Sequence, residues 1–510
     1  MQNLTASLVI CLVSACCLGQ IQIGVSEPGP FWSESGEEGN PADGFIAASL
    51  DGVGVVDNQY MRFYDKTLTA FDEINLETFF GNTGGYDPRI LWDDSLEDQV
   101  IRDQFVVTSF NGGMVKLRAS IPGQFPLIPD NWEASVEVGP ILNEWSGCGP
   151  TGILAVDRPG LGYSQDAWVI SAMTQNAAMP IDYINNMFYV VDKDTFAVTG
   201  PIGSEVFVST EAPKTLGCFQ KTGLPGLEGR ESAYPARQYG ESPALYSVGA
   251  AAYLKSRDGS GAGPPCGRGF KYLRIFAVTG APTQSMNFQF YDLEVPACYI
   301  PEVNNVPDNN EEGVTFRATD GRIVAAEWRE VNGVPLLFVC HEIQDTVPIE
   351  SESMNYAQQA RIRWYVIQTN GWPISGQNPT LWQWDDIEHG VVEVEPGEER
   401  PVHTVYPAMA VDDDGDMGFV FALTSVDQKL TVNATIRSYP LYLLEPTVQA
   451  AESLNTAPMP GDAFGDYFGV CVDPVDGSFW GIGSYVSNEP NCDPPNVLCR
   501  WATQVFNFFN

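Results

Sequence analysis

Positive charge is what this chain has least of. Lys and Arg number 26 against 65 Asp and Glu in 510 residues, a formal net charge of −39. Such a surface repels phosphate backbones and anionic headgroups, which excludes nucleic acid as a partner. Histidine is scarcer still, with only His341, His389 and His403. No Cys-x-x-Cys pair occurs after residue 17, so a zinc or haem site has little to be built from. Beyond the N-terminus no apolar run is long enough to span a bilayer, and no segment keeps a 3.6-residue apolar period. A Gly-x-Ser-x-Gly elbow and a Gly-rich loop opening a helix are missing too, which removes the serine-elbow hydrolases and phosphate-cradling folds.

What is present is β texture. The chain is 44% hydrophobic, with 49 Gly and 37 Pro, a composition suited to many turns and few long helices. Residues 1–19 resemble a secretory signal, with an apolar run over 8–18 that is too short for a membrane span. Two processing schemes stay open: ordinary cleavage near Gly19, or a lipobox at 13–16 that makes Cys16 a lipid anchor. Either predicts a secreted or cell-surface protein. The eight remaining cysteines (Cys148, Cys218, Cys266, Cys298, Cys340, Cys471, Cys492, Cys499) then suggest disulfides, Cys492 with Cys499 being the pair close enough to bridge locally.

Residues 20–44 are rich in Gly, Pro, Ser and Glu and read as a linker or wrapping arm. From 45 to 510 one unit recurs: an apolar strand ending near Val-Asp, a turn, then an aromatic strand. It is seen at 52–66, 87–110, 150–173, 242–256, 406–425 and 467–486, with a less clear copy at 317–343. One small sheet cannot bury both faces, whereas several arranged radially bury each against a neighbour. The expected fold is therefore all-β, a single β-propeller of about seven blades, with six or eight as alternatives. The strand "WATQVFNFF" at the chain end is expected to pair with the N-terminal region and close the ring. A two-domain sandwich with its linker at 302–313 is the structural alternative.

Candidate site residues follow from the hairpins. In "GDYFGVCVDPVDGSFWGIGSYV" (465–486) the Asp-Pro-Val-Asp-Gly turn reads as chain reversal, and Asp466 and Tyr467 stand where an innermost strand begins. "VDDDGDM" (411–417) presents Asp412, Asp414 and Asp416 at alternate positions, as a calcium loop would start, but Leu423 occupies the twelfth position where an EF-hand needs Glu. A hairpin turn is the expectation, with Ca2+ the one cofactor to test. Asp93 with Asp94 and Asp385 with Asp386 are acidic pairs that read as solvated turn acids rather than catalytic pairs. Trp364, Trp372, Trp382 and Trp384 suit either blade packing or a sugar platform.

The C-terminal half, with "ARIRWYVIQTNGWPI" (360–374), "YPAMAVDDDGDMGFVFALTS", the 465–486 hairpin and "WATQVFNF", resembles the sialidase-like (BNR-like) secreted β-propeller proteins of bacteria. Residues 52–66 and 87–107 resemble the opening blades of that family, so the resemblance spans about 45–507. It implies a fold and an exported location more than an activity. The chain has Arg89-Ile90 without the following proline of the sialidase motif, and its Asp-box-like stretches lack the serine. Sialidases hold a carboxylate with three arginines and use a Tyr beside a carboxylate; here Arg89, Arg361, Arg363 and Arg437 are the strand arginines. Arg89, Arg361, Tyr406, Asp466 and Tyr467 make up the ligand-binding set. The leading expectation is a monomeric, non-catalytic binder of an extracellular glycan or protein. The alternatives are a sialidase-like glycoside hydrolase working in the central funnel and a structural surface protein.

Overall fold

Short runs of β-branched and aromatic residues between Gly, Asn and Asp turns form strands almost everywhere, and one five-residue helix, Leu76–Phe80, is present among the described residues. The computed structural model describes residues 21–31, 43–58, 60–81, 86–97, 100–111, 114–124, 131–133, 135–140, 153–176, 183–202, 233–254, 268–280, 286–299, 306–307, 315–316, 321–348, 356–440, 442–453, 467–486 and 501–510. The signal segment, Asp466, and Cys148, Cys218, Cys266, Cys492 and Cys499 lie outside them.

The architecture is all-β and propeller-like. The inner strands touch in a closed cycle: Phe45–Ala48, Tyr86–Asp93, Ile153–Tyr163, Ala233–Pro235 with Arg237–Gln238, Ile323–Val331, His403–Val411, Gly469–Val472 and back to Phe45–Ala48. Every residue of the inner strand His403–Val411 is buried, and all but one of Ile323–Val331, whereas the outer strand Thr380–Ile387 is exposed at alternate positions and near its end. Apolar clusters fill the space between neighbouring sheets, as where Met61 and Phe63 meet Ile90, Phe105 and Val107.

Five hydrogen-bonded sheets of four or more strands are present, in place of the seven units expected from the repeat spacing. The difference lies in a continuous 13-stranded sheet. Within it, Arg237–Gln238 runs parallel to Tyr163 on one side and to Glu327 and Trp328 on the other, and Tyr299 pairs with Gln344, so runs of antiparallel strands are fused edge to edge. Gly162 permits this approach: a Cβ there would stand 2.4 Å from the Ala236 carbonyl oxygen.

The chain ends do pair. Gln22–Phe31 lies antiparallel to Trp501–Phe509, which also pairs with Phe479–Val486. Part of the segment read as a linker or arm is therefore a strand. The hairpin reading of 465–486 also holds. Gly477 adopts φ 76° and donates its N–H to the Asp473 carbonyl at 3.0 Å, closing the turn between Gly469–Val472 and Phe479–Val486. The disulfide expectation is corrected at three positions: Cys298, Cys340 and Cys471 are buried reduced thiols, and burial pushes the Cys471 thiol up to about 12. Trp364 and Trp372 are core residues, while Trp382 and Trp384 are exposed.

Candidate functional site

The innermost strands end together, and where they turn back a cavity of about 390 Å³ opens on the axis. Each wall comes from a different strand end. Asp94 follows Tyr86–Asp93; Arg237 and Tyr239 belong to the short bridging segment; Arg329 lies near the end of Ile323–Val331; Asp412–Asp414 and Asp473 come from the two last turns. Trp92 and Leu50 supply apolar surface beside them.

Beneath the cavity the polar groups form one electrostatic cluster. Tyr163 donates its hydroxyl to Asp94 Oδ1 at 2.6 Å. Burial pushes the Asp94 carboxyl above its usual range, opposed by this hydrogen bond and by the Arg329 charge. Glu327, fully buried, is likewise raised by burial against the pull of Arg237 and Arg329; its Oε1 lies 2.9 Å from Arg237 Nη2, and its Oε2 accepts the Val411 N–H at 2.8 Å. Burial, the largest single influence, would weaken the Arg237 charge, but Glu327 together with Tyr239, Tyr234 and Cys471 outweighs it and holds the guanidinium firmly protonated. The Arg329 guanidinium lies 3.5 Å over the Tyr239 ring and pairs with exposed Asp413, and its buried Nε has no hydrogen-bond partner among the described residues. Burial raises Tyr239 and Tyr163, so both hydroxyls keep their protons.

The mouth is acidic. Burial raises Asp412 to about 6. Asp473 is buried, holding Lys66 Nζ at 2.6 Å and accepting from Trp480 Nε1 at 2.7 Å. In the turn that carries Asp412, Asp414 and Asp416, Asp412 Oδ1 accepts the N–H groups of Asp414 and Asp416, and Asp416 Oδ1 accepts that of Tyr439. Among the described residues no group of three or more Asp, Glu, His or Cys side chains stands where it could hold a metal ion.

The sequence-derived candidates fall elsewhere. Arg89 and Tyr467 do come together, at the opposite ends of the same innermost strands, with the guanidinium 3.8 Å from both the Tyr467 and Phe45 ring centroids. Tyr406 is buried at φ 56°, its N–H 3.2 Å from Glu342 Oε2 and its ring 5.9 Å from that of Phe468. Arg361 is off the axis, paired with Glu388 at 2.6 Å and Asp345 at 3.4 Å. Arg363 forks onto Asp386 at 2.6 and 2.8 Å, and Arg437 lies 3.7 Å from Asp385. Arg361, Arg363 and Arg437 thus gather off the axis around Asp385 and Asp386, with Arg361 Nη1 also 4.0 Å from Asp386 Oδ2 and Arg437 Nη2 donating to the Asp386 carbonyl at 3.2 Å, while Arg89 stands apart. Asp386 is a structural anion. Asp93 is no solvated turn acid: it is fully buried against Lys193 at 2.6 Å and accepts from Trp168 Nε1 at 2.8 Å.

Sequence reasoning missed Tyr163, Arg237, Tyr239, Glu327 and Arg329. Glu327 carried a signal, an acid inside the apolar run "IVAAEW" of a doubly buried strand. "PARQYG" (235–240) carried none, since a short bridging segment has no period to betray it.

The fold and pocket define the class as an all-β, propeller-like protein with a polar axial cavity. No protein-family model matches the chain, and no curated protein matches it. Among solved structures it is similar to an ulvan lyase of a polysaccharide lyase family (TM-score 0.39, 11% identity, 89% of this chain and 93% of that one). It is similar also to an ACO/RPE65 chimera (TM-score 0.38, 11% identity, 87% and 78%) and to a Trypanosoma rangeli sialidase (TM-score 0.36, 8% identity, 95% and 60%). Likeness at this level carries no functional argument. No helix among the described residues is long and apolar enough to cross a membrane.

Proposed function

We propose that the chain is an exported or surface-anchored, monomeric propeller that binds a sugar unit of an extracellular glycan in its axial cavity, without catalysis. The observation that supports this most is that Arg329, Arg237, Asp94 and Tyr239 together line a space of about 390 Å³, large enough for one or two sugar rings. Donors and acceptors alternate around it, as hydroxyl-rich ligands require. Acids outnumber cations at the mouth, which favours neutral or amino sugars over anionic ones.

The test is a glycan-array screen of the mature chain, followed by calorimetry on the hits. Asp94→Asn should weaken binding roughly tenfold or more, the cost of a charge-assisted hydrogen bond. Binding that prefers carboxylated sugars, or is indifferent to Asp94→Asn and Arg329→Gln, would overturn the assignment. Silence across glycans with capture on a protein surface would instead favour a structural surface role. One observation favours a second reading, glycoside hydrolysis: Asp94 and Glu327 are two electrostatically coupled, burial-raised carboxyls in a single cluster. New reducing ends appearing when the chain is incubated with an array hit, and abolished by Asp94→Asn, would establish it.

A further inference from the structure

We infer that the axial site continues outward into a second sugar subsite on the rings of Trp382 and Tyr439, so that the ligand is an oligosaccharide chain reaching beyond the cavity; this rests on the glycan reading above. Trp382 is 44% exposed on Thr380–Ile387, a strand paired on one edge only among the described residues. The register slips beside it: Gln383 opposes Val366 and Leu381 opposes Ile367, so Trp382 stands opposite no residue of the neighbouring strand. Such a bulge re-aims a side chain. Trp384, two residues on, lies under the Arg363 guanidinium at 4.7 Å, whereas Trp382 meets the Tyr439 ring, with centroids 6.2 Å apart and planes at 80°. Two rings at that angle form a corner of aromatic surface.

A lone exposed Trp needs no explanation, but this one adjoins the cavity. Tyr439 is fixed by its N–H on Asp416 Oδ1 at 2.7 Å and by the ring of buried Tyr442, 5.8 Å away. It also abuts the turn that walls the cavity: a Cβ on Gly415 would stand 3.3 Å from Tyr439 Cδ2, and Asp412, Asp413 and Asp414, just before that glycine, are cavity lining. The aromatic corner is therefore the far side of that turn. The aspartates between cavity and corner decide the occupant, Asp413 and Asp414 being exposed. Charged side chains are depleted from the core of protein interfaces, whereas carboxylates accept from sugar hydroxyls and aromatic rings pack on the C–H faces of a sugar. A glycan leaving the cavity over this turn meets acceptors first and the two rings next.

The test is calorimetry on the full chain with gluco-, manno-, xylo- and chito-oligosaccharides, each as the disaccharide and the hexasaccharide. In a series that binds, the hexasaccharide should bind roughly tenfold more tightly, the order of one stacked ring. Trp382→Ala should bring the hexasaccharide down to the disaccharide's affinity, Trp382→Phe should keep most of the gain, and Asp94→Asn should weaken both lengths. Equal affinity at the two lengths, or a gain that survives Trp382→Ala, overturns the subsite and leaves the axial reading standing. Silence in every series at both lengths overturns the axial reading, and the subsite with it. A dimer seen in sedimentation and dissolved by Trp382→Ala would assign the corner to a second copy of the chain, which overturns the subsite as well.

Discussion

Asp93 and Asp94 are neighbours in the chain with opposite surroundings. Asp93 points between sheets onto Lys193 and is consumed by structure, while Asp94 points to the axis and faces the cavity. Strand alternation separates them, because successive side chains leave opposite faces. The sequence showed the pair but not which member faces the axis. Burial acts as selectively on the histidines. His341 and His403 are both lowered to about 4 by burial; His341 also holds the Gly321 carbonyl and the Tyr365 hydroxyl, and His403 Nδ1 lies 3.2 Å from the Ala360 N–H. In the unfolded chain each takes a proton near 6.5, in the native state near 4, so the unfolded state binds more protons in that window. Their stabilising contribution is therefore present above pH 6.5 and lost as pH falls towards 4, by roughly 3 kcal/mol per histidine as an upper bound. Asp412, raised to about 6, works the other way, favouring the native state as pH falls from about 6. Urea unfolding at pH 7, 5.5 and 4.5 should show His403→Gln with a shallower acid loss than the wild type. Asp412→Asn should show a steeper one.

Elements are held in place by shape as much as by hydrogen bonds. Gly418, on Met417–Ser425, abuts the ring of Phe479 on the next sheet, and a Cβ there would stand 2.4 Å from Phe479 Cδ1. The Phe479 ring is buried and stacked on Phe508 of the closing strand, so it has little room to yield. Gly418→Ala should cost about 2 kcal/mol or more, read as a lower urea midpoint with an unchanged slope. Removing 501–510 should be far worse, since Trp501–Phe509 is a central strand of its sheet, between Gln22–Phe31 and Phe479–Val486. Loss of a cooperative unfolding transition is the expected result. These hairpins were legible in the sequence because turn chemistry and alternation are local: the expected unit at 52–66 is Gly52–Val56 and Tyr60–Asp65, and that at 406–425 is the pair His403–Val411 and Met417–Ser425. The pocket was not legible, because Asp94, Tyr163, Tyr239 and Glu327 are far apart in the chain and meet only through the cycle of inner strands. The fused 13-stranded sheet escaped for the same reason, its bridges being one or two residues long.

At the scale of the whole molecule, charge is the largest unspent term. A net −39 is spread over a fold in which, among the described residues, basic side chains are drawn into pairs such as Arg363–Asp386, Arg274–Asp292 and Lys193–Asp93. Exposed like charges repel across distances comparable to the Debye length, about 30 Å at 0.01 M salt and about 8 Å at 0.15 M. The native state concentrates that repulsion in a smaller volume than the unfolded chain, so added salt relieves the folded form more. Tm should therefore rise by several degrees between 0.01 and 0.15 M salt and then level off, and it should do so with sodium gluconate as well as with sodium chloride. A flat profile would mean that paired charges, not net charge, govern stability. Any excess of chloride over gluconate at equal ionic strength belongs to a specific anion rather than to screening.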